Sequence, residues 1–167
     1  MGNISKIKNS KLKYVFTVIL GLFLVFSVDA AMVSFYVIET GLPDNGRMNQ
    51  HSVLWENAFL DVFFEAGHIV CDAPMLRLEE KPEEDDVLQF VNLYSMQSSG
   101  VEYIIIARLD YNNTTAPTDI LFYIYKMTPG EMIVEKQIEG RQARPAREEL
   151  EYMKTIARGF TPYIPEW

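Results

Sequence analysis

Cysteine is almost absent: the 167-residue chain holds one, Cys71. No disulfide can form within the chain, so folding rests on a packed core. The neighbours Ile69, Val70 and Asp72 place that thiol on a short strand. There it is either a core sulfur or a reactive, intermolecular one. Histidine is nearly as scarce. His51 and His68 stand outside any His-x-x-x-His or Cys/His cluster, which leaves imidazoles satisfied within the fold rather than a zinc site. The nucleophile elbow G-x-S-x-G, the P-loop and G-x-G-x-x-G are also missing. No catalytic constellation, metal-ligand set or cofactor motif is legible, so an enzyme is not expected.

An excess of basic residues is lacking too. Lys and Arg total 15 against 23 Asp and Glu, a net charge of −8. Four of those lysines (Lys6, Lys8, Lys11, Lys13) fall in the first thirty residues, with Asp29 the only acid there. The remaining 137 residues therefore carry 11 basic and 22 acidic side chains, a net −11. An acidic body repels phosphate backbones and anionic lipid surfaces, which argues against nucleic acid as the partner and against lying flat on an anionic membrane. Hydrophobic residues at 49% and aromatics at 13% exclude a disordered chain.

What is present begins with an export signal. Met1–Lys13 is polar and basic, Tyr14–Val28 is fifteen uncharged residues, and Val28-Asp29-Ala30 puts small side chains where a signal peptidase reads. Cleavage is expected after Ala30. The other reading is an uncleaved anchor, although fifteen helical residues span only about 22 Å of a hydrocarbon core of about 30 Å. Residues 1–30 are thus a signal peptide or N-terminal anchor, 31–160 a single α/β domain, and 161–167 a tail. The protein is expected in the periplasm or secreted, or held on the inner membrane if the signal stays.

In the body, Met32–Thr40 reads as a first strand and the breaker cluster Gly41–Gly46 as a loop. Met48–Ala66 reads as a helix stopped by Gly67, and Ile69–Cys71 as a second strand. Glu79–Asp86 is an acidic run around Pro82. It lacks the ligand spacing and central glycine of a calcium loop and reads as a solvated loop. Asp85–Ser99 has helical spacing at Val87, Phe90, Val91 and Tyr94. Glu102–Tyr111 is nearly all apolar and reads as a central strand. Asp119–Met127 and Met132–Glu139 form a hairpin about Thr128-Pro129-Gly130-Glu131. Ala146–Phe160 follows Pro145 as the last helix, with Leu150, Met153, Ile156, Ala157 and Phe160 on one face. The order β-α-β-α-β-β-β-α implies an α/β fold, a mixed sheet sandwiched with helices.

The first helix offers the sharpest functional signal. Trp55, Phe59, Val62 and Ala66 make a core stripe, flanked by Ala58 and Phe63. Val53, Leu60 and Phe64 make a second apolar stripe almost opposite, where a surface helix is ordinarily polar. Either another segment of the chain covers it or a partner does. The tail Thr161–Trp167 reads as extended because of its two prolines, with Tyr163, Ile164 and Trp167 packing on the domain or inserting into a neighbour. Arg141, Arg144 and Arg147 form a small basic patch, either local charge balance or a dock for an acidic partner. Asn112-Asn113-Thr114 and Asn113-Thr114-Thr115 match the glycosylation sequon and read as a polar turn.

Three stretches resemble a known family. NAFLDVFFEAGHIVCDAPML (57–76), SSGVEYIIIARLDY (98–111) and ILFYIYKMTPGEMIVEKQIEG (120–140) are similar to the helix–Gly–strand–Asp passage, the apolar strand and the Gly-Glu hairpin of TolB amino-terminal-like domains. That family includes CsgG-like and LpoB-like periplasmic lipoproteins and the flagellar protein FlgT. The resemblance spans about 33–160. It implies a non-enzymatic envelope module that docks on other envelope proteins or on itself, in a cell-envelope or flagellar assembly. It carries over no catalytic residue. The chain departs from the lipoproteins in lacking a lipid-attachment cysteine, and from TolB in lacking the propeller. The alternative expectation is a periplasmic small-ligand-binding protein with an apolar pocket lined by Tyr103, Tyr111, Tyr123 and Tyr125.

Overall fold

The computed structural model describes residues 30–43, 47–82, 87, 99–141 and 145–165. Strand β1 (Met32–Thr40) is buried along nearly its whole length. Alternation sends Val33, Phe35 and Val37 to one face and Tyr36 and Ile38 to the other. After the 41–49 loop the chain enters helix α1 (Gln50–Glu65). The helix begins after Asn49, whose side chain accepts a hydrogen bond from the His51 amide at 2.9 Å, so it starts two residues later than the sequence suggests. Gly67, at φ +88°, turns the chain out of it.

Strands β2 (Ile69–Asp72) and β3 (Leu76–Leu78) follow. Both lie parallel to β1 along the same edge, β2 against Met32–Phe35 and β3 against Ile38–Thr40. β3 has no counterpart among the elements expected from the sequence. Strands β4 (Tyr103–Asp110), β5 (Asp119–Lys126) and β6 (Glu131–Glu139) complete a six-stranded mixed sheet of order β2-β1-β4-β5-β6. β4 runs parallel to β1 and antiparallel to β5. It is the central strand, as its unbroken apolar run implies, and all eight of its residues are buried. The β5–β6 turn contains a cis Thr128–Pro129 bond and Gly130 at φ +93°.

Helix α2 (Ala146–Arg158) starts after Pro145, with Glu148 and Glu149 in its first turn and Arg158 in its last, matching the helix dipole at both ends. Met153 and Ala157, with Phe160 just beyond, enter the core, while Leu150 and Ile156 pack half-buried against it. Both helices feed one core with the same sheet face. Its centre is a run of rings: Phe35 on Phe59 (4.6 Å between centroids), Phe59 on Phe122 (5.1 Å), Phe122 on Phe160 (5.1 Å) and Trp55 on Phe122 (5.2 Å). Each such ring contributes about 1.5–3 kcal/mol by leaving water.

The opposite sheet face buries Tyr36, Ile38, Ile104, Ile106, Leu121, Tyr123 and Tyr125, with Val87 fully buried among them. The Asp85–Ser99 helix lies outside the described residues except at Val87 and Ser99. The fold is α/β, a mixed six-stranded sheet packed with two helices on one face.

Candidate interaction surface

The core side of α1 is Trp55, Ala58, Phe59, Val62 and Phe63, all at most 3% exposed. Ser52 joins them because its hydroxyl pairs with the Tyr111 hydroxyl at 2.7 Å. Ala66 is the half-exposed C-cap rather than a core residue. On the outward side, Phe64 is 70% exposed and Val53 37%. Leu60 between them is half-buried and leans on the core. No part of the described chain covers Phe64.

The other expected contact residues divide. Thr161–Tyr163 forms a 3-10 turn where the sequence suggests extended chain. A proline is tolerated in the first turn of a helix, since its missing N–H would have no partner there, so Pro162 does not prevent the turn. That turn drives Ile164 into the core at 1% exposure, which removes it from the surface, and leaves Tyr163 about half exposed. Trp167 and Arg144 lie outside the described residues. The Arg141 guanidinium sits 3.2 Å from the Tyr152 ring centroid and pairs with the buried Glu149 at 3.2 Å. It fastens β6 to α2. Arg147 is exposed on the first turn of α2. Arg141 is thus engaged within the domain, whereas Arg147 is open to solvent.

The four tyrosines cannot line one pocket. Tyr103 and Tyr111 face the helices, whereas Tyr123 and Tyr125 face the other way. The odd-numbered residues of β4 and the odd-numbered residues of β5 point to opposite faces because Ile104 pairs with Tyr125 and Ile106 with Tyr123. An open groove of about 460 Å³ lies elsewhere, lined by Thr114–Thr118, Gly140 and Arg141. Two of its hydroxyls are already engaged, Thr114 with the carbonyls of Tyr111 and Ala116, and Thr118 with that of Asp110 at 2.9 Å. Asn112 and Asn113 open this loop in left-handed conformations, the polar turn their sequence suggests.

His68 is buried with its ring 5.7 Å from Phe63, while His51 is half-buried. Cys71 is half-buried and its Sγ lies 3.6 Å from the Val33 carbonyl. Glu79 and Glu80 are exposed, and the rest of the acidic run beyond Pro82 lies outside the described residues.

A buried charged network at the carboxyl ends of β1 and β4 is what sequence reasoning misses. Glu39 is fully buried and its carboxylate is held by the Arg77 guanidinium and by the Asn49 amide at 2.7 Å. Arg77 also donates to the carbonyls of Pro43 (3.2 Å) and Arg47 (2.6 Å), tying down both ends of the 41–49 loop. Asp110 accepts from Thr40 and pairs with Lys81 at 2.8 Å and with Arg108 at 3.4 Å. Burial pushes the Tyr111 phenol well above its ordinary range, with Ser52 partly opposing. These groups are spent on one another. Their signal in the sequence is slight: three charges inside otherwise apolar strands.

Among the described residues these features define a class: a mixed-sheet α/β domain with two helices on one sheet face and, on the outer side of the first helix, apolar side chains that no described segment covers. No protein-family model matches the chain, and no curated protein does. Solved structures resemble it at the level of fold. TolB from Acinetobacter baumannii is 9% identical with a TM-score of 0.45, over 80% of this chain but 28% of that one. The PelC dodecamer from Paraburkholderia phytofirmans is 14% identical with a TM-score of 0.47, over 80% of this chain and 86% of that one. The LpoB C-terminal domain from Escherichia coli is 13% identical with a TM-score of 0.41, over 70% and 87% respectively.

Proposed function

We propose that this chain is a non-enzymatic protein–protein interaction module of the cell envelope, exported by its N-terminal segment and working in an envelope or flagellar assembly. The observation that carries the reading is the outward side of α1. Phe64 stands 70% exposed and Val53 37% on a helix whose other side is wholly buried. Large apolar side chains left open on a helix favour a partner that covers them. Val53, with Leu60 beneath, is the proposed protein contact, and Tyr163 and Arg147 are further exposed candidates. Among the described residues the buried Glu39, Asp110 and Glu149 carboxylates are each paired with a cation, which supports binding rather than catalysis. Partners are other envelope proteins or a second copy of the chain.

Affinity capture from an envelope fraction, with the Val53→Asp variant as control, tests this. A partner recovered by the wild-type chain and lost with Val53→Asp is the expected result. A monodisperse monomer that captures nothing overturns it.

A further inference from the structure

Val53, Leu60 and Phe64 fall within about 40° of one another around α1, counted at about 100° per residue. Phe64 is 70% exposed and Val53 37%, with Leu60 half-buried between them. From Val53 to Phe64 the stripe runs about 16 Å along the helix, or about three turns. Ile69 is exposed as well, but it points to the other sheet face, because its neighbour Val70 packs on the helix-side core.

Acids border the stripe on both sides. Asp61 and Glu65 lie towards α2, where Asp61 meets Lys154 at 2.9 Å. Glu56 lies on the other side. Strand alternation puts Asp72 on the same sheet face as Val70, beside Glu56. Partial burial, with the charge of Asp72 adding to it, raises the Glu56 carboxyl. Among the described residues neither Glu56 nor Asp72 pairs with a cation. Lys154 is the cation in contact with this border, and its charge also faces Glu65 and Glu151. Five acids thus stand about the stripe against one lysine.

That arrangement selects among occupants. An apolar stripe bounded by uncompensated carboxylates is matched by a surface of opposite charge. A second copy would set acid against acid across the contact, since residues 31–167 carry a net −11. An anionic lipid surface is repelled for the same reason.

We propose that the outer side of α1 binds a basic amphipathic segment of a partner protein, with apolar side chains over Val53, Leu60 and Phe64 and Lys or Arg against Glu56, Asp72 and Glu65. The proposal rests on the protein-interaction reading and narrows it: the partner on this face is cationic and is not another copy of the chain. Apolar contact supplies affinity, and the carboxylates set orientation and choice of partner. A cation seated by Glu56 and Asp72 also relieves the repulsion between them.

The test uses the full chain in its native envelope, with Phe64 replaced by the photoreactive p-benzoylphenylalanine, and the cross-linked peptide is sequenced by mass spectrometry. The expected adduct is a segment of another protein in which apolar residues recur at helical spacing between Lys or Arg. Reversing charge at two exposed positions, Glu65→Lys with Asp72→Lys, is expected to lower its yield about tenfold. Met132→Asp, on the far edge strand, is expected to leave the yield unchanged. An adduct with lipid or with a second copy overturns the proposal. So does a segment without net positive charge, or a yield that charge reversal does not move. A neutral or acidic protein segment still leaves the wider interaction reading standing. Absence of any protein adduct overturns the proposal too, and together with an empty affinity capture it removes the interaction reading as well.

Discussion

Phe64 and Ile164 show how two apolar side chains take opposite positions. The first stands in solvent on the outer side of α1, and the second is driven inward by a 3-10 turn. Replacing Phe64 with serine is therefore expected to change unfolding free energy by less than about 0.5 kcal/mol in urea titration, because no core contact is lost. Trp55→Ala, at the centre of the ring cluster, is expected to cost about 3–5 kcal/mol in the same titration. Arg77→Met leaves the Glu39 carboxylate buried without its guanidinium and is expected to cost about 3–5 kcal/mol. Glu56 is different again. Partial burial, with Asp72 adding to it, raises its carboxyl above the ordinary value. The folded state therefore holds that proton more tightly than the unfolded one, and ionised Glu56 opposes folding at neutral pH. Glu56→Gln is expected to raise Tm slightly at pH 7. The gain shrinks as pH falls through the raised value and is gone below the ordinary carboxylate range. A gain that persists unchanged at acid pH contradicts that assignment.

Among the elements, the backbone is closely packed where the chain enters β5 and leaves β6. A Cβ on Gly140 would fall 1.9 Å from the Pro117 carbonyl oxygen, and the Gly140 amide already donates to the Thr118 carbonyl at 3.0 Å. Both neighbours are backbone, so neither can swing aside. Gly140→Ala is expected to destabilise by about 1–3 kcal/mol, read by thermal unfolding, and to loosen the groove loop. Elements whose identity is local were legible in the sequence. β1, β4 and β5 are long apolar runs, β6 is marked by the Pro-Gly turn before it and by Met132–Val134, and both helices show their core faces in their spacing. β3 was not legible, because three half-buried residues between Pro74 and Pro82 carry no period. What makes them a strand is pairing with Ile38–Thr40, some forty residues away. The candidate surface was legible in part. Val53 and Phe64 stood out by helical spacing, whereas the exposure of Ile69 depends on its place at the sheet edge.

At the scale of the molecule, the described residues of both cores run from Ala31 onward and include both helices and all the strands at the centre of the sheet. A chain starting at Ala31 is therefore expected to unfold cooperatively, with the Tm of the full chain in detergent; a lower Tm would show that residues 1–30 contribute to the fold. Five of the strands (β1, β2, β4, β5 and β6), the core faces of the helices, the centrality of β4 and the acidic character of the body can be read from the sequence, since each follows from the periodicity or composition of one contiguous stretch. Only the tertiary structure decided the rest. Strand register sent Tyr123 and Tyr125 away from Tyr103 and Tyr111, and the meeting of β1, β3 and β4 buried Glu39 and Asp110 with their cationic partners. Packing left Phe64 open and closed over Ile164. Those outcomes depend on which distant segments lie side by side, a property that no single stretch of sequence contains.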